Sequence, residues 1–196
     1  MELLEKEYLN AKEKSSDINE HLELLYDLAK ECDSVTELGT RTGVSTRAFM
    51  YANPKTFFAY DIELDDNLLK LFYIAKENGL NFNYKLADVR YIEIEETDLL
   101  FIDTLHNYNQ LSGELKLHGN KSKKYIIFHD TTAFEWIGES YEGKVDEIMS
   151  ALGGEFIDWL IKNKPESKKA IPGIIVLVAD HQSQRTQVIE IGRAHV

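Results

Sequence analysis

Four side chains in two short segments could move a proton or hold a cation. Asp103 and His106 stand in Phe101-Ile102-Asp103-Thr104-Leu105-His106, and His129 and Asp130 close Tyr125-Ile126-Ile127-Phe128-His129-Asp130. Each segment is an apolar run that stops at its polar groups. As buried parallel strands the two runs would deliver two acids and two imidazoles to one edge of a sheet. A hydroxyl substrate has a pKa far above 7, so its reaction is helped by a base that titrates near neutrality or by a cation that lowers that pKa. Imidazole supplies the first and carboxylates hold the second. A blander reading of the same residues is that His106 caps the following helix and Asp130 caps a turn.

A second constellation lies upstream, in Val35-Thr36-Glu37-Leu38-Gly39-Thr40-Arg41-Thr42-Gly43-Val44-Ser45. Its small residues make a tight turn between an apolar run and a helical pattern, where glycine lets the backbone approach a ligand closely. Alone, it is an ordinary glycine-containing turn. Asp61 follows Gly39 by 22 residues at the end of the next apolar run, placed to accept hydrogen bonds from a ribose diol. Ala87-Asp88 ends the third run, where an adenine edge would lie. Asp61 and Asp88 also read as helix caps or turn acids. A dinucleotide fingerprint fails, because Arg41 stands where its second glycine would be, and no Gly-Lys-Ser/Thr marks a P-loop. S-adenosylmethionine carries a sulfonium and no pyrophosphate, so an acidic Glu37 beside the ligand is electrostatically acceptable.

The elements that must position these groups are legible in outline. Apolar runs over Val35 to Leu38, Thr56 to Tyr60, Asn83 to Leu86, Asp98 to Ile102, Tyr125 to Phe128, Gly173 to Ala179 and Thr186 to Ile191 predict seven strands. Helical patterns cover Ser45 to Tyr51, Asp66 to Asn78 with Gly79 as its cap, and Gly143 to Lys164. Glu2 to Lys30 reads as one or two amphipathic helices broken near Ser15-Ser16-Asp17. The expected fold is α/β, a Rossmann-like, doubly wound, mostly parallel seven-stranded sheet with an antiparallel final hairpin. The expected organisation is a helical flank over 1–30, one ligand-binding domain over 31–192 and a tail over 193–196 that resembles translated adapter sequence. Phe134, Trp136 and Tyr141, in the stretch Thr131 to Lys144, read equally as a lid over the acceptor and as packing against the core or a second copy.

The segment Glu37-Leu-Gly-Thr-Arg-Thr-Gly-Val-Ser45 resembles the first motif of the class I S-adenosylmethionine-dependent methyltransferases, and Asp61 and Asp88 fall at the positions of their acidic second and third strand ends. The resemblance spans roughly Val35 to Ile191. It implies that Glu37, Gly39, Thr40, Gly43, Ser45, Asp61, Asp88 and Asp103 line the cofactor site. Phe101 to Tyr108 and Tyr125 to Thr132 resemble a narrower group, the cephalosporin-hydroxylase-like and macrolide-sugar O-methyltransferases. That likeness implies His106 as general base beside Asp103, and Mg²⁺ or another divalent cation on Asp103, His129 and Asp130. His129 stands where that group often carries Glu, and Mg²⁺ prefers oxygen to imidazole.

Composition narrows the partners. Among 196 residues, 22 Lys and Arg face 34 Asp and Glu, a net charge of -12 that repels nucleic acid. The three prolines are Pro54, Pro165 and Pro172, so no Asn/Asp-Pro-Pro-aromatic motif for amino groups of bases follows the fourth strand. No apolar run approaches the roughly 20 residues of a membrane span, and the acidic start is unlike a secretory signal. A cytoplasmic protein with a small-molecule acceptor is expected, without membrane or nucleic-acid partners and as a homo-oligomer whose neighbour completes a short pocket. The single Cys32, set among polar residues with no second cysteine to pair with, reads as structural.

Overall fold

Each of the first five apolar runs becomes a strand of one parallel sheet in the computed structural model, which describes residues 2–130, 175–180 and 185–190. The strands are β1 (Ser34–Leu38), β2 (Thr56–Asp61), β3 (Phe82–Leu86), β4 (Thr97–Ile102) and β5 (Ser122–Phe128). They pair in the order β3-β2-β1-β4-β5, all parallel. Successive strands are therefore added in one direction up to β3 and in the other from β4 onward, so that β1 and β4 flank the switch point where open α/β sheets bind ligands at their carboxyl ends. Beyond β5, β6 (Ile175–Asp180) and β7 (Arg185–Glu190) add antiparallel pairs to the same edge.

Side chains alternate across a strand, and the alternation builds two cores. Val35, Phe57, Leu99, Phe101 and Ile127 face the helices α1 (Glu2–Glu13), α2 (Leu22–Lys30), α3 (Val44–Ala52) and α4 (Asp66–Glu77). Leu38, Tyr60, Leu100, Ile102 and Phe128 face the other way, toward Leu111 and Leu115 of α5 (Tyr108–His118). Glu37 lies between Thr36 and Leu38 and so shares the face of Val35 and α3. The N-terminal helices are part of the first core, because Leu4, Tyr8, Leu22 and Leu25 are buried in the same cluster as Phe49.

Local chemistry accounts for the helix ends. The expected break at Ser15-Ser16-Asp17 is a polar turn in which Ser16 Oγ accepts from the Asn19 amide at 3.0 Å and Asn19 Oδ1 accepts from the Ser16 amide at 2.9 Å. Asp65 caps α4 by accepting from the Asn67 amide at 2.7 Å, and Gly79 ends it with φ +70°. Cys32, expected among polar surroundings, is buried beneath α2, and burial pushes its thiol up to about 12. Its sequence neighbours are polar, but the turn after α2 folds the side chain into the core.

The helix over 143–164, the aromatic stretch from Thr131 to Lys144 and the tail over 193–196 lie outside the described residues. Among the described residues no helix is long and apolar enough to cross a membrane.

Candidate functional site

The strand ladder runs one peptide beyond each of three strands and so fixes where the loops begin. Gly39 donates its amide to Tyr60 O at 2.9 Å, Asp103 to Leu38 O at 2.9 Å and His129 to Ile102 O at 3.1 Å. The turns after β1 and β4 consequently leave the sheet side by side. Gly39 has φ +85°, and a Cβ there would stand 2.0 Å from the carbonyl oxygen of Asp103 and 2.7 Å from its carbonyl carbon. Neither backbone atom can move without moving β4. The close approach that the sequence assigns to a ligand at Gly39 is therefore made first by the chain itself. Gly43, with φ +76°, begins α3 and donates its amide to Thr40 O at 2.7 Å.

Within the β1 turn the polar groups are largely absorbed by the loop. Glu37 is fully buried, and the hydroxyls of Ser45 and Thr46 donate to its two oxygens at 2.5 and 2.8 Å. Burial pushes this carboxyl up to about 8, against the opposing pull of the two hydroxyls. Glu37 and Ser45 thus lie under the loop and pin α3 to β1. Asp61 does act as a turn acid: its Oδ2 accepts from the Thr40 amide at 2.7 Å, the Thr40 hydroxyl at 3.0 Å and the Arg41 amide at 2.9 Å. Its Oδ1 accepts from the Glu63 amide at 3.2 Å. Asp88 is a turn acid too, accepting from the Arg90 amide at 3.0 Å and clamped by the Arg90 guanidinium, whose hydrogen bonds hold its carboxyl below the usual range.

The turns after β4 and β5 are arranged differently, because their charged groups face one another. Asp103 Oδ1 lies 3.1 Å from His106 Nε2 and 3.2 Å from His129 Nδ1. Asp130 completes the group, with Oδ2 at 3.6 Å from His106 Nε2 and Oδ1 at 3.4 Å from His129 Nδ1. Burial alone would raise the Asp103 carboxyl, but hydrogen bonds from His106 and His129 outweigh it and bring it down to about 2. Burial likewise works against charge on His129, yet Asp103 and Asp130 win and raise its imidazole above the ordinary value. Asp130 takes a left-handed φ of 54° to present its carboxylate here. The helix-cap reading of His106 gives way to its neighbour: Asn107 caps α5, accepting from the Gln110 amide at 2.9 Å.

Sequence reasoning missed three contributors. Arg47 donates to the carbonyls of Gly43 and Thr42 at 2.6 and 3.1 Å and to Glu7 at 3.1 Å, tying the glycine turn to α1. His21, before α2, is buried with its ring edge-on to His129, centroids 5.2 Å apart. Glu114, fully buried in α5, accepts from the Thr104 hydroxyl at 2.7 Å and from Gln110 at 2.6 Å, and burial pushes its carboxyl up to about 7.

No protein-family profile and no curated protein matches the sequence. Solved structures do resemble the fold. The S-adenosylhomocysteine-bound methyltransferase PaMTH1 of Podospora anserina superposes with a TM-score of 0.56 at 14% identity, covering 88% of this chain and 86% of that one. The N-methyltransferase NodS of Bradyrhizobium japonicum WM9, also in complex with S-adenosylhomocysteine, gives 0.54 at 13% identity, covering 94% and 93%. The chain spans only 37% of coclaurine N-methyltransferase, a match that covers 60% of this chain with a TM-score of 0.44 at 21% identity. At such identities the likeness is one of fold.

Proposed function

We propose that this chain, which has the class I S-adenosylmethionine-dependent methyltransferase fold, binds S-adenosylmethionine and transfers its methyl group to the oxygen of a small hydroxylated acceptor, a sugar or another metabolite. The observation that carries the reading is the contact of Gly39 with the backbone of Asp103, which sets the cofactor turn directly against the His/Asp cluster. On this reading the methionine part lies along Gly39 and Thr40, the ribose reaches Asp61 and adenine lies toward Asp88. To receive a ribose, Asp61 exchanges part of its hold on the Thr40 and Arg41 amides for the sugar hydroxyls.

The acceptor hydroxyl must lose a proton as its oxygen takes the methyl group. His106, oriented by Asp103, is placed to take it. Asp103, His129 and Asp130 also offer a divalent cation a seat, and such an ion would lower the pKa of a hydroxyl beside it. A hydroxyl acceptor suits this machinery because its pKa lies far above 7, where a base to take the proton and a cation to lower that pKa act together. The net charge of -12 speaks against a nucleic-acid acceptor. Part of the acceptor pocket is assigned to a second copy of the chain, in a cytoplasmic homo-oligomer.

Calorimetry with S-adenosylmethionine tests the first half of the reading, and absence of binding removes it. Transfer of labelled methyl from the cofactor to hydroxylated acceptors tests the second. His106→Ala is expected to bind the cofactor and transfer poorly; a fully active variant would remove His106 as the base. A cofactor-binding module without turnover is the competing reading, and it predicts that no variant of the cluster alters anything but stability.

A further inference from the structure

We propose that Asp103, His106, His129 and Asp130 together form a site for a first-row transition-metal ion, bound through two imidazole nitrogens and two carboxylates, in preference to Mg²⁺. The inference deepens the functional reading above and rests on it only for the meaning of the site's position. One potential ligand atom from each of the four residues lies within 4.8 Å of the others. The facing atoms are separated by 3.1, 3.2, 3.4 and 3.6 Å. An ion held at about 2.0–2.2 Å keeps adjacent ligands about 2.8–3.1 Å apart in octahedral coordination and about 3.3–3.6 Å apart in tetrahedral coordination. The four separations therefore have the size of the edges of one coordination polyhedron.

The donor set selects the ion. Imidazole suits zinc, cobalt, nickel and iron, whereas Mg²⁺ takes oxygen ligands and gives up its water reluctantly. His129 is no optional ligand at the rim: its side chain is 1% exposed, it presents Nδ1 to both acids, and its Nε2 is buried without a hydrogen-bond partner among the described residues. The ring rests edge-on against His21, so packing holds it in this orientation. His106 presents Nε2 to both acids. The same nitrogen cannot take a proton and bind an ion at once, so His106 is a base in the metal-free chain and a ligand in the loaded one.

The test titrates metal-free protein with CoCl₂ and with MgCl₂, read by calorimetry and, for cobalt, by visible absorption. One Co²⁺ per chain is expected, with ligand-field bands of a nitrogen- and oxygen-bound ion and an affinity on the order of tenfold or more above that of Mg²⁺. His106→Ala and His129→Ala should each weaken Co²⁺ by about 10–100-fold. His106 is the less buried of the two, so its variant stands if His129→Ala proves unfolded by circular dichroism. His129→Glu should narrow the gap by restoring an oxygen ligand. Mg²⁺ binding as tightly as Co²⁺, or Co²⁺ binding unchanged in His106→Ala, would overturn the proposal. S-adenosylmethionine titrated alongside separates the failures: cofactor binding without a cobalt site removes only the metal, and a cobalt site without cofactor binding removes only the functional reading.

Discussion

The turn after β1 and the turn after β4 touch at Gly39 and Asp103, yet they use their polar groups in opposite ways. In the first, the acids serve the backbone: Glu37 takes two hydroxyls beneath α3, and Asp61 takes two amides and a hydroxyl from Thr40 and Arg41. In the second, two carboxylates and two imidazoles point at each other. A turn that must hold a shape for a ligand invests its acids in the chain. A centre that must handle a proton or an ion keeps them for chemistry, and a buried acid, Glu114, anchors it from behind through Thr104.

The contact between the two turns is the place to break both at once. Gly39→Ala puts a methyl group 2.0 Å from the Asp103 carbonyl at a φ of +85° that alanine tolerates poorly. A loss of about 2–4 kcal/mol in unfolding free energy is expected from overpacking and backbone strain together. Urea denaturation measures it, and calorimetry should find both cofactor and cobalt binding impaired. If only the cofactor is lost, the two turns are independent and the comparison fails.

Asp61→Asn separates the turns. It keeps the shape of the side chain but weakens the charge-assisted bonds to Thr40 and Arg41 and, on the proposed reading, to the ribose. S-adenosylmethionine should bind about 10–100-fold more weakly, or about 1.4–2.7 kcal/mol. Cobalt binding should stay as it was. A change confined to stability would mean that Asp61 serves the loop alone.

Smaller again is the pH signature of the buried acid under the first turn. Glu37 is raised from 4.5 to about 8, so its contribution to stability is complete below pH 4.5 and is lost as pH rises through about 8. Glu114, raised to about 7, acts in the same direction but has faded by pH 7 to 8. Between pH 7 and 8 the wild type should therefore lose about 1 kcal/mol more than Glu37→Gln, from one proton at about 1.4 kcal/mol per pH unit while Glu37 remains mostly protonated. What the raised His129 contributes is common to both proteins and cancels. Equal slopes would mean that Glu37 is ionised in the fold.

Much of this arrangement is legible in the sequence, because a parallel strand announces its carboxyl end. Leu38, Leu86, Ile102 and Phe128 are the expected last residues of their strands and do end them; β2 runs one residue further, to Asp61. The residues that follow at once are glycine, alanine before an acid, an acid or a histidine, and this pattern sets Asp103, His106, His129 and Asp130 on one edge. Distant pairings carry no such signal. Nothing near His21 shows that it packs on His129, and Arg47 reads as one more charge on α3 until Glu7 and the Gly43 carbonyl are seen beside it. The crowding at Gly39 is hidden for the same cause, since it comes from a residue 64 positions away.

The smallest effect belongs to the ion pair that joins the glycine turn to the segment ahead of α2, between Arg41 and Asp17. It looks like a strap over the turn, but the side chains are 69% and 41% exposed. Exposed pairs are screened by water and salt and must order two mobile side chains, so they contribute about 0–1 kcal/mol. Arg47 makes the comparable connection from beneath, with a side chain only 16% exposed, and grips two carbonyls of the turn directly. Asp17→Asn should accordingly change urea stability by no more than about 0.5 kcal/mol and leave the cofactor affinity within about twofold. Arg47→Met should do more to both. If Asp17→Asn proves the more damaging, the turn is held from outside by the N-terminal segment, and its acids are freer for the ligand than their bonds to the loop imply.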